Sequence, residues 1–178
     1  MRIFSRLGAL PAAATVLTGM TAIQMTLVVV GNITDFGTNQ AFVHHVLAMD
    51  TTFQSPSTMW RAVTSPGLAD AAYVAIIAWE LVTALALIAG FVAWIRSHLT
   101  GRTPSTAKQL SNLGWVMQLT LFGVGFIAIG GEWFQMWQSS KWNGLQTALQ
   151  NLIVASFGLV LAHLATKDSR HTADTSPT

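Results

Sequence analysis

Cysteine is absent from this 178-residue chain, so no disulfide staples a loop and no thiolate can serve as nucleophile or metal ligand. Charge is scarce as well: Asp, Glu, Lys and Arg make up 9% of the residues, against about 25% in soluble domains. With so few charges the chain cannot cover a water-facing surface. The net charge of +2 comes without a basic cluster beyond short flanks of apolar runs, which excludes nucleic acid as a partner. No Gly-rich phosphate loop, no G-x-S-x-G elbow and no nucleophile–base arrangement is present, so nothing in the residues argues for an enzyme.

What the chain has in abundance is apolar length. Four runs, Leu7–Gly31, Ala71–Ile95, Leu113–Gly131 and Leu145–Ala165, each approach the roughly 20 residues needed to cross about 30 Å of hydrocarbon. They predict an all-α polytopic membrane protein, an antiparallel four-helix transmembrane bundle forming a single domain over residues 1–166. Residues 167–178 read as a disordered cytoplasmic tail. The first run starts after basic residues as a secretory signal does, but it is too long and lacks a small-residue cleavage site, so it reads as a retained helix.

Small residues recur in steps of three and four along the first span (Gly8, Ala12, Thr15, Gly19, Ala22, Thr26) and the fourth (Ala148, Asn151, Ala155, Gly158, Ala162). Such stripes let helix backbones approach closely in lipid. The third span carries Gly114, Gly123, Gly125, Gly130 and Gly131, which compact packing also explains.

Basic residues set the orientation. Arg2, Arg6, Arg96, Arg102, Lys108, Lys167 and Arg170 share one side of the spans, whereas Arg61 and Lys141 fall on the other. The positive-inside rule then places both termini and the short central loop in the cytoplasm. Trp94 and Trp115 are expected at the cytoplasmic interface, and Tyr73, Trp133, Trp137 and Trp142 at the outer one.

The outer loop 32–70 is too long for a plain connection. Thr38 or Asn39 can cap a short amphipathic helix over Thr38–Asp50, with Phe42, Val46 and Met49 turned toward the bundle or lipid. Ser55-Pro56 and Ser65-Pro66-Gly67 punctuate the rest, and Met59, Trp60 and Val63 form a second short turn carrying Arg61.

Three constellations bear on chemistry. Glu80 lies seven positions inside Tyr73, about 10 Å below the outer interface. Carboxylates at that depth are costly and face the interior. Gln24, Gln150 and Asn151 count to a similar depth, giving an intramembrane polar layer in which Glu80 is either a brace or a proton- or ligand-binding group. Glu132 and Arg61 are placed to bridge the third span to the loop, unless Glu132 simply reaches water. His44 and His45 are adjacent, about 100° apart on a helix, whereas metal pairs prefer i, i+3 or i, i+4 spacing, so neither metal nor haem is expected and no cofactor is called for. His98, His163 and His171 belong to the other side.

Longer strings carry a resemblance. They are Asn32-Ile33-Thr34-Asp35, then Ala41-Phe42-Val43-His44-His45-Val46-Leu47-Ala48-Met49-Asp50-Thr51-Thr52-Phe53, and Met59-Trp60-Arg61-Ala62. Gly130-Gly131-Glu132-Trp133-Phe134-Gln135-Met136-Trp137-Gln138-Ser139, continued by Trp142-Asn143-Gly144, completes the set. Over about residues 10 to 165 the chain resembles the bacterial small integral membrane proteins of domain-of-unknown-function family 2165. The resemblance implies four spans and bacterial origin and no activity. All these strings lie on the outer side, where His44, His45, Asp50, Trp60, Arg61, Glu132, Trp133, Trp137 and Trp142 form either a cap over the bundle or a docking surface.

The functional expectation is a small membrane protein that acts as an accessory or stabilising subunit of a larger complex. Its partners are the lipid bilayer and other membrane subunits or copies of itself. The alternatives are a small transporter or channel-like protein using Glu80, or a quinone- or lipid-binding redox partner. Seven of nine basic residues on one side predict that a reporter fused after Thr178 is active in the cytoplasm. Activity confined to the periplasm would reverse the topology.

Overall fold

The computed structural model describes residues 10–174, with side chains for residues 10–165. Arg2, Arg6, Gly8 and the start of the run from Leu7 lie outside the described residues, as do residues 175–178 and the side chains of Lys167, Arg170 and His171.

Helix α1 covers Leu10–Thr34, α2 Phe36–Ala48, α3 Pro66–Thr100, α4 Ser105–Leu119 and α5 Leu145–Asp174. The end of α4 continues directly into a π-helix, Thr120–Trp133, and short 3₁₀ turns occupy Met59–Arg61 and Met136–Gln138. No strand occurs among the described residues. Four helices are long and apolar enough to cross a membrane: α1, α3, α4 with its π continuation, and α5 through Ala165. The chain is therefore all-α with four candidate spans, and α2 is the short helix expected in the long loop. At 35 residues α3 is about 52 Å long, well beyond the roughly 30 Å of a bilayer core.

Local chemistry explains the boundaries. Pro66 opens α3, where its missing N–H costs nothing. Gly101, at φ +66°, follows the last residue of α3 and turns the chain. Met49 ends α2 at φ 53°, a conformation unusual for a side chain with a Cβ, and its complete burial holds it there. The helix begins one turn earlier than its Thr38 and Asn39 signals suggest: Asp35 takes the capping position without a side-chain cap bond, and Asn39 is bonded elsewhere. At the other end of the chain, α5 runs on to Asp174, through most of the stretch read as a tail, because no Gly or Pro interrupts it before Pro177.

The chain divides into two compact units, and all four long helices pass through both. Among the described residues the first comprises 10–26, Leu81–Met117 and 154–174; the second comprises Leu27–Glu80 and Gln118–Ile153.

In the first unit the core is Ala14, Trp94, Ala107, Ala162 and Ala165. Small residues do the packing, as the stripes imply. In α5 Ala155, Gly158 and Ala162 are buried here, as are Ala148 and Asn151 of the same series in the second unit, and in α1 Thr15, Gly19 and Ala22 are buried. Close approach is enforced at Gly158, where any Cβ would collide with the ring of Trp115. Trp94 and Trp115, expected at the cytoplasmic interface, turn their rings inward and are completely buried. Trp94 Nε1 donates to Ser111 Oγ at 3.0 Å, so a buried serine takes the bond that a headgroup would have accepted. In lipid this packing gains from dispersion contacts, since hydrocarbon solvates a Trp ring as readily as protein does.

In the second unit α2 lies on a core of Val46, Met49, Phe134 and Met136, flanked by Phe42, Met59, Trp142 and Leu145. The π-helix is the departure from expectation. Its last turn shows the wider spacing directly, Phe134 N donating to Ile129 O at 2.9 Å, five residues back. Such helices usually occur as single-turn bulges, often at functional sites, and this one spans 14 residues with four glycines among them.

Candidate functional site

Glu80 is 4% exposed, and its hydrogen bond runs to Asn32, itself 6% exposed: Asn32 Nδ2 donates to Glu80 Oε2 at 2.7 Å. Asn32 Oδ1 in turn accepts from Asn39 Nδ2 at 2.6 Å, and its backbone carbonyl accepts from the buried Tyr73 hydroxyl at 3.2 Å. Phe36 packs on the Tyr73 ring with centroids 4.7 Å apart. A hydrogen-bonded run therefore leads from a buried carboxylate to Asn39, which is exposed. Asn32 satisfies donor and acceptor together, as a buried amide must.

This corrects the partners assigned to Glu80 from depth. The side chains of Gln24 and Gln150 are exposed, and Asn151 is buried but accepts from Gln118 Nε2 at 3.2 Å and donates to Thr147 O at 2.9 Å. The error lay in ending the first span at Gly31. Because α1 continues to Thr34, Asn32 extends the buried series Thr18, Ala22, Met25 and Val29 by one more turn. That rhythm was readable in the sequence; depth alone ignores which way a helix faces.

Asp70, in the first turns of α3, gathers two donors from α2: Gln40 Nε2 at 2.7 Å and His44 Nε2 at 2.7 Å from the same carboxyl oxygen. The neighbouring His45 turns the other way, with Nδ1 2.6 Å from Asp50 Oδ2 and its ring stacked on Trp142 at 4.5 Å. The two histidines thus serve different acids, as their angular separation requires. Gln40, His44, His45 and Asp50 border a cavity of about 470 Å³ between α2 and the chain at Val63–Pro66. Among the described residues no three His, Asp or Glu side chains gather as metal ligands would. Sequence reasoning missed Asp70 and Gln40, whose role appears only when α2 is laid beside α3.

Around α2 the long loop and the Trp-rich turn are stitched together. Thr51 Oγ1 donates to Ser139 Oγ at 2.9 Å, Phe53 N to Gln138 Oε1 at 2.8 Å, and Thr58 Oγ1 to Gln135 Oε1 at 3.2 Å. Aromatic pairs reinforce these contacts edge to face: Phe53 on Trp137 at 5.9 Å and Trp60 on Trp133 at 5.5 Å. The strings singled out in the sequence thereby fold onto each other as a cap within the second unit.

Arg61 lies at the end of the third span as expected, but it does not pair with Glu132. Its guanidinium sits 4.7 Å from the Trp133 ring centroid and 5.6 Å from that of Trp60, and Nη1 reaches the Trp133 carbonyl at 3.4 Å. Glu132 is exposed and makes no salt bridge among the described residues. A π-face attracts a cation by roughly 0.5–2 kcal/mol, comparable with an exposed ion pair, and the stacked geometry needs no carboxylate. Lys141 repeats the arrangement, 4.8 Å above the Trp142 ring.

Beneath the cap is an apolar groove of about 330 Å³ between α2, α3 and the π-helix, lined by Phe42, Val46, Ile76, Gly125, Phe126, Phe134 and Met136 among others. Its wall includes the π-helix, which the apolar pattern of the third span did not reveal.

The model of a family described as a predicted small integral membrane protein, domain-of-unknown-function family 2165, matches residues 10–165. The chain belongs to this family. It is thereby an integral membrane protein, in contact with the lipid bilayer, whose family has no assigned function. No curated protein and no solved structure matches it.

The Glu80–Asn32 pair generates a graded expectation. Glu80→Gln keeps an acceptor for Asn32 Nδ2, so unfolding in detergent should shift little. Glu80→Leu strands the amide in a buried setting and should destabilise by roughly 1–3 kcal/mol. Asn32→Leu should cost at least as much, because it removes the side-chain partner of Asn39 as well. Equal melting of the Gln and Leu variants would show that the bond contributes nothing.

Proposed function

We propose that this protein is a non-catalytic accessory subunit that stabilises a larger membrane complex and meets its partner through the aromatic cap. The observation that carries the reading is a rigid surface with exposed aromatics. Phe53 is 73% exposed and Trp60 69%, and Trp133 and Trp137 are exposed beside them, yet the Phe53 amide is held by the Gln138 side chain and the nearby Thr58 hydroxyl by that of Gln135. Aromatic side chains that are already ordered lose little entropy on docking, and such residues anchor interfaces. The chain works as one domain over residues 1–166, set in a bacterial inner membrane with its termini in the cytoplasm and the cap outside. The distribution of basic residues supports that orientation.

A second reading, a small transporter or channel-like protein, is favoured by one observation: the run Glu80–Asn32–Asn39 connects a buried carboxylate to an exposed amide. In that reading Glu80 holds a proton or cation, and Glu80→Gln abolishes flux while leaving the fold intact.

Purification of the full chain in mild detergent, followed by mass spectrometry, tests the first reading. A stoichiometric membrane partner is expected, and it should be lost from a Phe53→Ala/Trp60→Ala double variant that still folds. Recovery of a homo-oligomer alone, unaffected by these changes, would overturn the accessory role.

A further inference from the structure

The groove beneath the cap has a shape, a lining and a rim that together select one kind of occupant. About 330 Å³ is available. One turn of an α-helix, 10–12 Å across and 5.4 Å high, encloses roughly 400–600 Å³, so a partner helix cannot enter. A single hydrocarbon chain can. The walls are apolar side chains from α2, α3 and the π-helix, and a bilayer supplies hydrocarbon to such a surface without a desolvation cost.

The rim carries charge. Arg61 and Lys141 are the two basic residues of the second unit, and each stands one aromatic ring from the groove. Arg61 lies on Trp133, the chain neighbour of the groove residue Phe134. Lys141 lies over Trp142, whose ring meets the groove residue Phe42 at 6.2 Å. Neither cation has a carboxylate partner among the described residues, and Arg61 Nε is buried without a hydrogen-bond acceptor. The acids with printed partners face away from the two cations, Asp70 bonding Gln40 and His44 and Asp50 bonding His45, and the exposed Glu132 beside Trp133 pairs with neither cation. Trp rings sit at the headgroup level of a bilayer, and a guanidinium fork matches a phosphate.

We propose that the groove seats one acyl chain of an anionic phospholipid whose phosphate is held by Arg61 and Lys141. Gly125 keeps the groove open: a Cβ there would meet only Leu121 Cδ1, 3.7 Å away, so a larger side chain has room to grow into the space the lipid takes.

Native mass spectrometry of the full chain, released from micelles containing equimolar phosphatidylglycerol and phosphatidylcholine with identical acyl chains, reads this directly. The protein is expected to retain one lipid, with phosphatidylglycerol severalfold over phosphatidylcholine. Arg61→Gln/Lys141→Gln should keep one lipid and lose the headgroup preference. Gly125→Leu, or Ile76→Phe from the opposite wall, should reduce retention of both lipids, with circular dichroism confirming the helical fold of each variant. Equal retention of the two lipids by the native chain would overturn the proposal. So would a headgroup preference that survives removal of both cations, or a folded groove-filling variant that binds lipid as the native chain does. Since the cation variant alters only residues at the rim, it decides the headgroup claim even if neither groove variant folds.

Discussion

The hydrogen bond from Asn32 to Glu80 is the constraint on which the second unit depends. A carboxyl group deep in a spanning helix costs several kcal/mol unless it is given a partner within the protein. Asn32 supplies that partner from the end of α1, and because an amide has two ends it passes the constraint on to Asn39. Asn39 belongs to the first turn of α2, so the same few atoms that satisfy Glu80 also tie that turn to the end of α1. Once α2 is set, its Gln40 and His44 reach Asp70, and its Val46, followed by Met49, meets Phe134 and Met136. The cap is thus built outward from one buried polar contact.

The two units hold together by different means. Small residues and completely buried tryptophans dominate the first, where backbones approach as far as Gly158 and Ser111 permit. In the second, glycine serves another purpose. Gly125 leaves space in place of close contact, and the wider turns of the π-helix shape a groove wall. One protein therefore uses the same residue to close a helix contact and to keep a cavity open. The polar network confines the cap, and the groove below it is left to lipid.

The spans were legible because length and apolar composition are properties of each segment alone. The α5 stripe was legible for a related reason: steps of three and four define one face of one helix, and all five of its residues are buried. What escaped the sequence were properties of pairs. Glu80 was recognisable as a buried acid, but its partner depended on α1 running three residues past Gly31, a boundary that apolar patterning leaves loose. Arg61 was rightly brought to the end of the third span, yet the choice between Glu132 and the Trp133 ring is a matter of rotamers and stacking, which no spacing encodes. Trp94 and Trp115 look like interfacial residues by position and are core residues by orientation.

Because the account places Asn32 at its centre, the exchange of that side-chain amide with solvent deuterium is the most direct measurement. With the protein in lipid nanodiscs and its asparagines labelled with ¹⁵N, the Asn32 side-chain protons should be resolved and exchange far more slowly than those of Asn143, which is exposed in the connection before α5. Glu80→Leu should then accelerate Asn32 exchange while leaving Asn143 unchanged. An Asn32 amide that exchanges as fast as Asn143 in the native chain would contradict the buried bond and the cap built on it.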